Sequence, residues 1–415
     1  MRCNAAHATV LAALAAGLIA LAGCGSSHNG TSATTALAGP PKSCPATVVQ
    51  ALSRVVRRVY REGLSSERTA VAQRGIAASV ALRQAIEAGS PAAVRAAAEA
   101  LVASGRMTNL TVMREGHTLA DVGGPAVSPL AGTIMGATGK PIATYLTSVW
   151  SDTGFLAETD SIASGLVSLR VHGHSIAGKL RLPAGKLPAE GSIVLGHVRY
   201  QFASFGGKNY PSGPLRVYLL RTVRSTSTLC GATSEDTVVA ALSHVASLIY
   251  AGEAGARTVP QIQRVQAYQP LLEAVSRRDP AATKTAVEAL LNQHIVRLRI
   301  YDSSGQLLSD VGGPYVLAPV TAPLTLGGRK IGSLVLSIQD DEGYLRLTKR
   351  LAGLRVLMYM DHTLVKNSLG PEPGTVPESG RYQYQGATYR VFTLHVKAFP
   401  DGPLTINVLI PIPYT

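Results

Sequence analysis

Apolar residues fall at helical spacing in two separate stretches of this chain. Val48, Leu52, Val55, Val56 and Val59 make one stripe and predict a helix over 46–63, followed by another over 66–88. Val238, Ala241, Leu242, Val245, Leu248 and Ile249 draw the same stripe further along. The next helix begins the same way in both stretches. Ser90-Pro91 and Asp279-Pro280 each supply a side-chain acceptor at the N-cap and Pro at the first helical position, and Gly105 ends the earlier of the two. Beyond these helices the pattern changes to short alternating runs separated by turn residues. Candidate strands are 108–113, 117–121, 141–150, 165–172, 194–205 and 214–222, then 296–302, 306–310, 330–339, 354–361, 387–397 and 403–411. A short helix is predicted after Asp152 and again after Asp341, each a candidate N-cap.

The two stretches are copies of one another. Asp121-Val122-Gly123-Gly124-Pro125 returns 189 residues later as Asp310-Val311-Gly312-Gly313-Pro314. The same offset joins Pro91 to Pro280, Asp152 to Asp341, Gly154 to Gly343 and Gly213-Pro214 to Gly402-Pro403. A period this long makes each copy a whole domain rather than a solenoid unit. The copies are placed at 44–224 and 230–415. Each has long N-terminal helices and then an antiparallel sheet of about five strands, an α+β arrangement.

Residues 8–22 form an apolar run of signal-peptide length, preceded by Arg2 and ended by Leu21-Ala22-Gly23-Cys24, which resembles a bacterial lipobox. On that reading residues 1–23 are a leader, Cys24 is acylated, and residues 24–43 tether the first copy to the outer face of a membrane. The alternative is an ordinary secretory signal or an anchor helix. No other stretch holds the roughly 18 uninterrupted apolar residues that a spanning helix needs. Of the four cysteines, Cys3 leaves with the leader and Cys24 carries lipid. Cys44 and Cys230 remain, each just ahead of the first helix of a copy. Exported compartments are oxidising, so a Cys44–Cys230 disulfide is expected, with two free thiols as the alternative.

Composition narrows the function. The 415 residues are 46% hydrophobic and 15% charged, enough to build cores. The net charge of +14 is thinly spread, with no run of five like charges, and export removes nucleic acid as a partner. No Walker loop, Gly-x-Ser-x-Gly, His-Glu-x-x-His or Cys-x-x-Cys occurs. His172-Gly173-His174 lacks a third metal ligand, and Asp340-Asp341 lacks the oxygens a calcium site needs. No enzyme activity, metal or cofactor is therefore expected.

Long N-terminal helices followed by a PAS-like antiparallel sheet, in tandem on an exported chain, resemble the extracytoplasmic Cache (PDC-type) sensor domains. The Gly-Gly-Pro turn pairs and the stretch Ser337-Ile338-Gln339-Asp340-Asp341-Glu342-Gly343-Tyr344 are similar to those of Cache-like lipoproteins of high-GC Gram-positive bacteria. The resemblance covers about 44–411 and implies binding of a small solute, of amino-acid or organic-acid class, between sheet and overlying loops. The chain departs from the family's usual setting: it carries no second spanning helix, no kinase, cyclase or methyl-accepting module, and no clear aromatic–Arg amino-acid signature. A membrane signalling partner is the implied reader.

Candidate ligand residues follow from strand alternation. Along 165–172, Val167, Leu169 and Val171 point one way and Ser168, Arg170 and His172 the other. The second copy gives Val356, Met358 and Met360 against Leu357, Tyr359 and Asp361. The apolar face packs on the long helices. The other face would line a pocket, with Arg170 and His172 taking a carboxylate and Asp361 an ammonium; a solvated sheet face or structural ion pairs are the alternative. Trp150 stacks on ligand or serves as core or lid. Tyr145, Tyr200, Tyr382, Tyr384 and Tyr389 rim a pocket or form cross-strand pairs. The Asp-Val-Gly-Gly-Pro pairs read as structural turns. The reading these expectations favour is a lipid-anchored binding protein for a small solute. Its rivals are an envelope adaptor that binds another envelope protein or an anionic wall polymer, and a wall hydrolase.

Overall fold

In the computed structural model, residues 43–414 are described, apart from 254, 256, 257, 292–294, 314, 315, 400 and 401. The leader, Cys24, the tether up to residue 42 and Pro314 lie outside the described residues.

The first long helix, Cys44–Ser65, buries the predicted stripe completely: Val48, Leu52, Val55, Val56 and Val59 have no exposed surface. Two short helices follow, Glu67–Ala78 and Val80–Glu87, because Ser66 and Ser79 break the chain and cap each new start. Ser90 and Asp279 cap the next helices as expected, accepting from Ala93 and Ala282 backbone N–H at 3.4 and 3.0 Å. The caps of the later short helices fall one residue before Asp152 and Asp341. Ser151 accepts from Gly154 N–H and Asp340 from Gly343 N–H, at 3.0 and 2.6 Å. A cap must have extended backbone, and Ser151 and Asp340 have it while the aspartates that follow are already helical.

The strands of each copy divide into two antiparallel sheets, one of four strands and one of seven, rather than a single sheet of about five. In the first copy the small sheet runs His117–Gly123, Asn109–Arg114, Pro141–Ser148, Leu130–Met135. The body of the large sheet runs His174–Gly178, Leu166–Val171, Gly213–Thr222, Val198–Tyr210, Glu190–Leu195. In chain order within that body this is 2-1-5-4-3. Two-residue strands Ala126–Val127 and Trp150–Ser151 extend its edge. The second copy repeats both sheets, strand for strand.

The Asp-Val-Gly-Gly-Pro motifs are expected as turns, but Asp121-Val122-Gly123 and Asp310-Val311-Gly312 are the paired ends of strands His117–Gly123 and Leu307–Gly312. A Cβ on Gly123 would lie 2.3 Å from Thr108 O, and one on Gly312 2.3 Å from Val296 O, so only glycine fits. The aspartates tie adjacent strands. Asp121 accepts from Thr111 Oγ1 at 3.0 Å, and Asp310 is gripped by Arg297 and Arg299 at 2.8 and 2.7 Å.

One hydrophobic core crosses both copies. It contains the stripe of the first long helix and, from the second, Ser234–Glu253, residues Ala241, Leu242, Val245 and Ile249, together with the inner faces of both large sheets. Val167, Leu169 and Val171 belong to it, as do Val356 and Met358, which places the apolar strand faces on the helices. Contacts from the first long helix to the second copy lock the copies together: Arg54 donates to Tyr414 O, and Glu62 pairs with Arg350 at 2.8 Å. Cys44 and Cys230 are joined by a disulfide, with Cα atoms 5.7 Å apart. The small sheets pack on separate cores of their own. Among the described residues no helix is long and apolar enough to cross a membrane.

Candidate functional site

The outer face of each large sheet, opposite the long helices, is covered by a strap of chain. In the first copy the strap contributes Leu180, Leu182 and Leu187, which pack on Tyr200, Phe202, Tyr218 and Leu220. In the second it contributes Leu369 and Val376, which pack with Leu357, Tyr359, Val391 and Leu409. Much of the face expected to be pocket is therefore closed by apolar contact. A cleft stays open where the strap passes the end of strand Leu166–Val171, and another at the same place in the second copy.

The first cleft measures about 590 Å³. Arg170 forms its floor and is only 2% exposed. Its Nη2 donates to Pro183 O at 2.6 Å, to Gly185 O at 2.9 Å and to Gly173 O, so the guanidinium holds the strap in place. Nε has no partner, no carboxylate among the described residues pairs with it, and the group lies over the Tyr218 ring at 5.5 Å. Three carbonyl dipoles compensate a buried cation in part, and an anion would complete the compensation. Exposed His172, Lys186 and Arg216 stand at the mouth. No acidic residue lines this cleft.

The second cleft measures about 650 Å³. Its positions are those of the first, 189 residues on: Tyr359 for Arg170, Asp361 for His172, Glu378 for Ala189, His395 for Gly206, Thr405 for Arg216 and Asn407 for Tyr218. Two carboxylates replace three fixed cations. Thr393 Oγ1 ties the strap to the sheet here, donating to Glu378 O at 2.7 Å and contacting Asn407 Oδ1 at 2.9 Å.

His172 and Asp361 reach the clefts by a different route from the one that alternation implied. The strand ends at Val171, and at Met360 in the second copy. His172-Gly173 and Asp361-His362 then form two-residue hairpin turns with φ of 49°, 83°, 46° and 64°. Positive φ at both central residues is what such a tight hairpin requires. His174 opens the next strand, so His172 and His174 do not share one strand face.

Other predicted residues lie elsewhere. Trp150 touches none of these clefts. It sits half-buried between the small-sheet core and the shared core, with the Arg68 guanidinium 5.1 Å above its ring. Tyr200 packs beneath the strap of the first copy and also lines a separate apolar opening. Tyr145 is buried in the small-sheet core across from Gly132. Tyr382 and Tyr389 face each other across two strands, and the hydroxyls of Tyr382 and Tyr384 reach strap carbonyls at Pro373 and Pro371. Sequence reasoning missed Lys186, Arg216, His362, Glu378 and His395, which lie in loops or on strands it left unweighed.

No protein-family model matches this chain, and no curated protein matches it. Among solved structures, it is similar to the ligand-binding domain of Mlp24 with asparagine, at 12% identity and a TM-score of 0.28, over 45% of this chain and 99% of that one. It is also similar to the ligand-binding domain of the Pseudomonas fluorescens chemoreceptor CtaA in complex with L-isoleucine, at 11% identity and 0.25, over 43% and 96%. An extracellular ligand-binding receptor from Desulfohalobium retbaense matches at 11% identity and 0.21, over 55% of this chain and 47% of that one. At TM-scores this low the α+β architecture rests on the observed strand order, and the clefts on their own geometry.

Proposed function

We propose that this chain is a lipid-anchored, extracytoplasmic binding protein for small solutes. Residues 1–23 are its leader, Cys24 its acylation site, 24–43 its tether, and 44–224 and 230–415 its two binding copies. One observation carries the reading: two clefts lie at register-equivalent positions on the outer sheet faces, and their linings differ in the sign of their charge. A shared fold explains why the clefts coincide. It does not explain why one collects Arg170, His172, Lys186 and Arg216 while the other collects Asp361 and Glu378. Ligand chemistry does, with a carboxylate of amino-acid or organic-acid class in the first cleft and an ammonium group in the second.

Each cleft lies across its sheet from the long helix that the sheet covers, and the two helices share one core. Occupancy that favours one arrangement of this core would be read by a membrane signalling partner as a shift in population. The test is a titration of the purified protein with succinate, glutamate and putrescine, read by calorimetry and thermal shift. Charge reversal at Lys186 and Arg216 together should weaken the carboxylates at least about tenfold and leave putrescine unchanged; D361N/E378Q should do the reverse. Failure of every carboxylate and amine to bind would overturn the reading. Salt-sensitive retention on an anionic wall polymer alone would favour an envelope adaptor.

A further inference from the structure

The first copy has a larger opening at the other end of its large sheet. It measures about 880 Å³ and lies beside helix Asp152–Ala163, where strand Leu166–Val171 begins and strand Gly213–Thr222 ends. Leu156, Leu166, Val167, Ala177, Tyr200 and Leu220 give it an apolar wall.

Arg221 also lines this opening and is only 7% exposed. Its Nε and Nη2 reach Ser225 Oγ and O at 3.4 and 3.2 Å, while Nη1 is buried without a partner. No carboxylate among the described residues pairs with it. Burial pushes its pKa down, as expected for a cation without a counter-ion. The neighbouring His244 is held below its ordinary pKa by burial and by the Arg221 charge. The nearest acid on the wall, Asp160, is engaged at the rim by Lys179 at 2.5 Å.

The second copy shows that the fold needs no charge here. Ile410 stands where the first copy has Arg221, and Leu354 where it has Gly165; both are fully buried in the shared core. Arg346 and Lys366 replace Ala157 and Ala177 on the wall. In the first copy Gly165 makes room for its neighbours: a Cβ there would lie 2.6 Å from Leu219 Cδ1 and 3.4 Å from Arg221 Cγ. At 157, 165 and 177 the first copy thus carries smaller residues than the second has at the register-equivalent positions, and beside them it buries a cation where the second copy buries an isoleucine. An unpaired buried cation destabilises the fold unless an anion joins it.

We propose that this opening binds an aliphatic carboxylate of medium chain length, with the chain along Leu156, Leu166 and Leu220 and the carboxylate paired to Arg221. The site is separate from the outer-face clefts, and its apolar wall excludes the small hydrophilic acids expected there.

The experiment is calorimetric titration of the full chain with decanoate below its micelle concentration, with decanol and acetate as controls. Wild type is expected to bind decanoate and not acetate. R221I, which installs the residue of the second copy, should weaken decanoate at least about tenfold and leave decanol unchanged. Charge reversal at Lys186 and Arg216 should leave decanoate binding intact. The proposal falls if wild type does not bind decanoate, if R221I binds it as tightly as wild type, or if the charge reversal abolishes it. Should R221I fail to fold, R221Q decides: full retention of decanoate refutes the site.

Discussion

Replacing both Cys44 and Cys230 with serine should destabilise the protein by up to about 5 kcal/mol. The bridge spans 186 residues of sequence and encloses the whole first copy. Closing a loop of that length removes unfolded-chain entropy of roughly 18 cal/mol/K, or about 5 kcal/mol at 25 °C. This is an upper value, because denatured chains are already more compact than random coils. The folded state should lose little. Cys44 is half-buried and Cys230 exposed, so serine sacrifices little packing. The shared core, the Glu62–Arg350 pair and the Arg54–Tyr414 hydrogen bond keep the copies together without the bridge. The effect therefore lies almost entirely in the unfolded state. Guanidinium denaturation of oxidised wild type and the double variant measures it. The midpoint should fall while the dependence on denaturant steepens, since the unbridged chain exposes more surface on unfolding. A loss below about 1 kcal/mol with an unchanged denaturant slope would refute the argument.

Burial raises the Asp152 carboxyl above its usual range, against the opposing hydrogen bond from Asn209 at 2.8 Å. A raised folded pKa favours the protonated native state, so this contribution is full at low pH and is lost as pH climbs through the folded pKa. D152N should accordingly gain stability relative to wild type from about pH 4 upward, and a difference flat with pH would contradict this. For Asp310, burial acts upward but the Arg297 and Arg299 hydrogen bonds and charges outweigh it, so its pKa is depressed. Its stabilisation is present at neutral pH and is lost as pH falls through the folded pKa; D310A should cost about 3 kcal/mol at pH 7 and much less in acid, as read by thermal unfolding. S151A removes the acceptor for Gly154 N–H and should cost about 1 kcal/mol by chemical denaturation, with no change in solute binding.

Where one strong pattern governed an element, the sequence was legible. The valine stripe of the first long helix and the Ser-Pro and Asp-Pro starts needed no tertiary context. The repeat was equally plain, because glycine positions such as 123 and 312 are fixed by backbone contact that no other residue satisfies. The division of each copy into two sheets was not legible. It depends on edge strands such as Leu130–Met135 and His174–Gly178, whose faces are largely open and whose residues do not alternate sharply. Without those edges the remaining runs look like one sheet. The disulfide was legible by another route, from the expected compartment and from the two cysteines' matching places at the starts of the two copies.

Strand alternation singled out Arg170 and Tyr359, which the structure places at the two clefts, but gave no weight to Arg216 on a predicted strand or to Lys186 and Glu378 in the straps. A better signal was present in the repeat itself. Positions packed in the common core are held to apolar residues of fitting volume in both copies, as at Val167 and Val356 or Leu169 and Met358. Positions free of that constraint are where the copies can diverge in charge. Reading the chain against itself at the 189-residue offset marks 170, 172, 189 and 216 by their exchanged polarity, and marks 221 as a cation opposite a buried isoleucine. The first four fall in one cleft and the fifth in another opening. Charge exchange between the copies is therefore a screen for the proposed ligand positions, and at 221 it reaches into a register that the second copy fills with core.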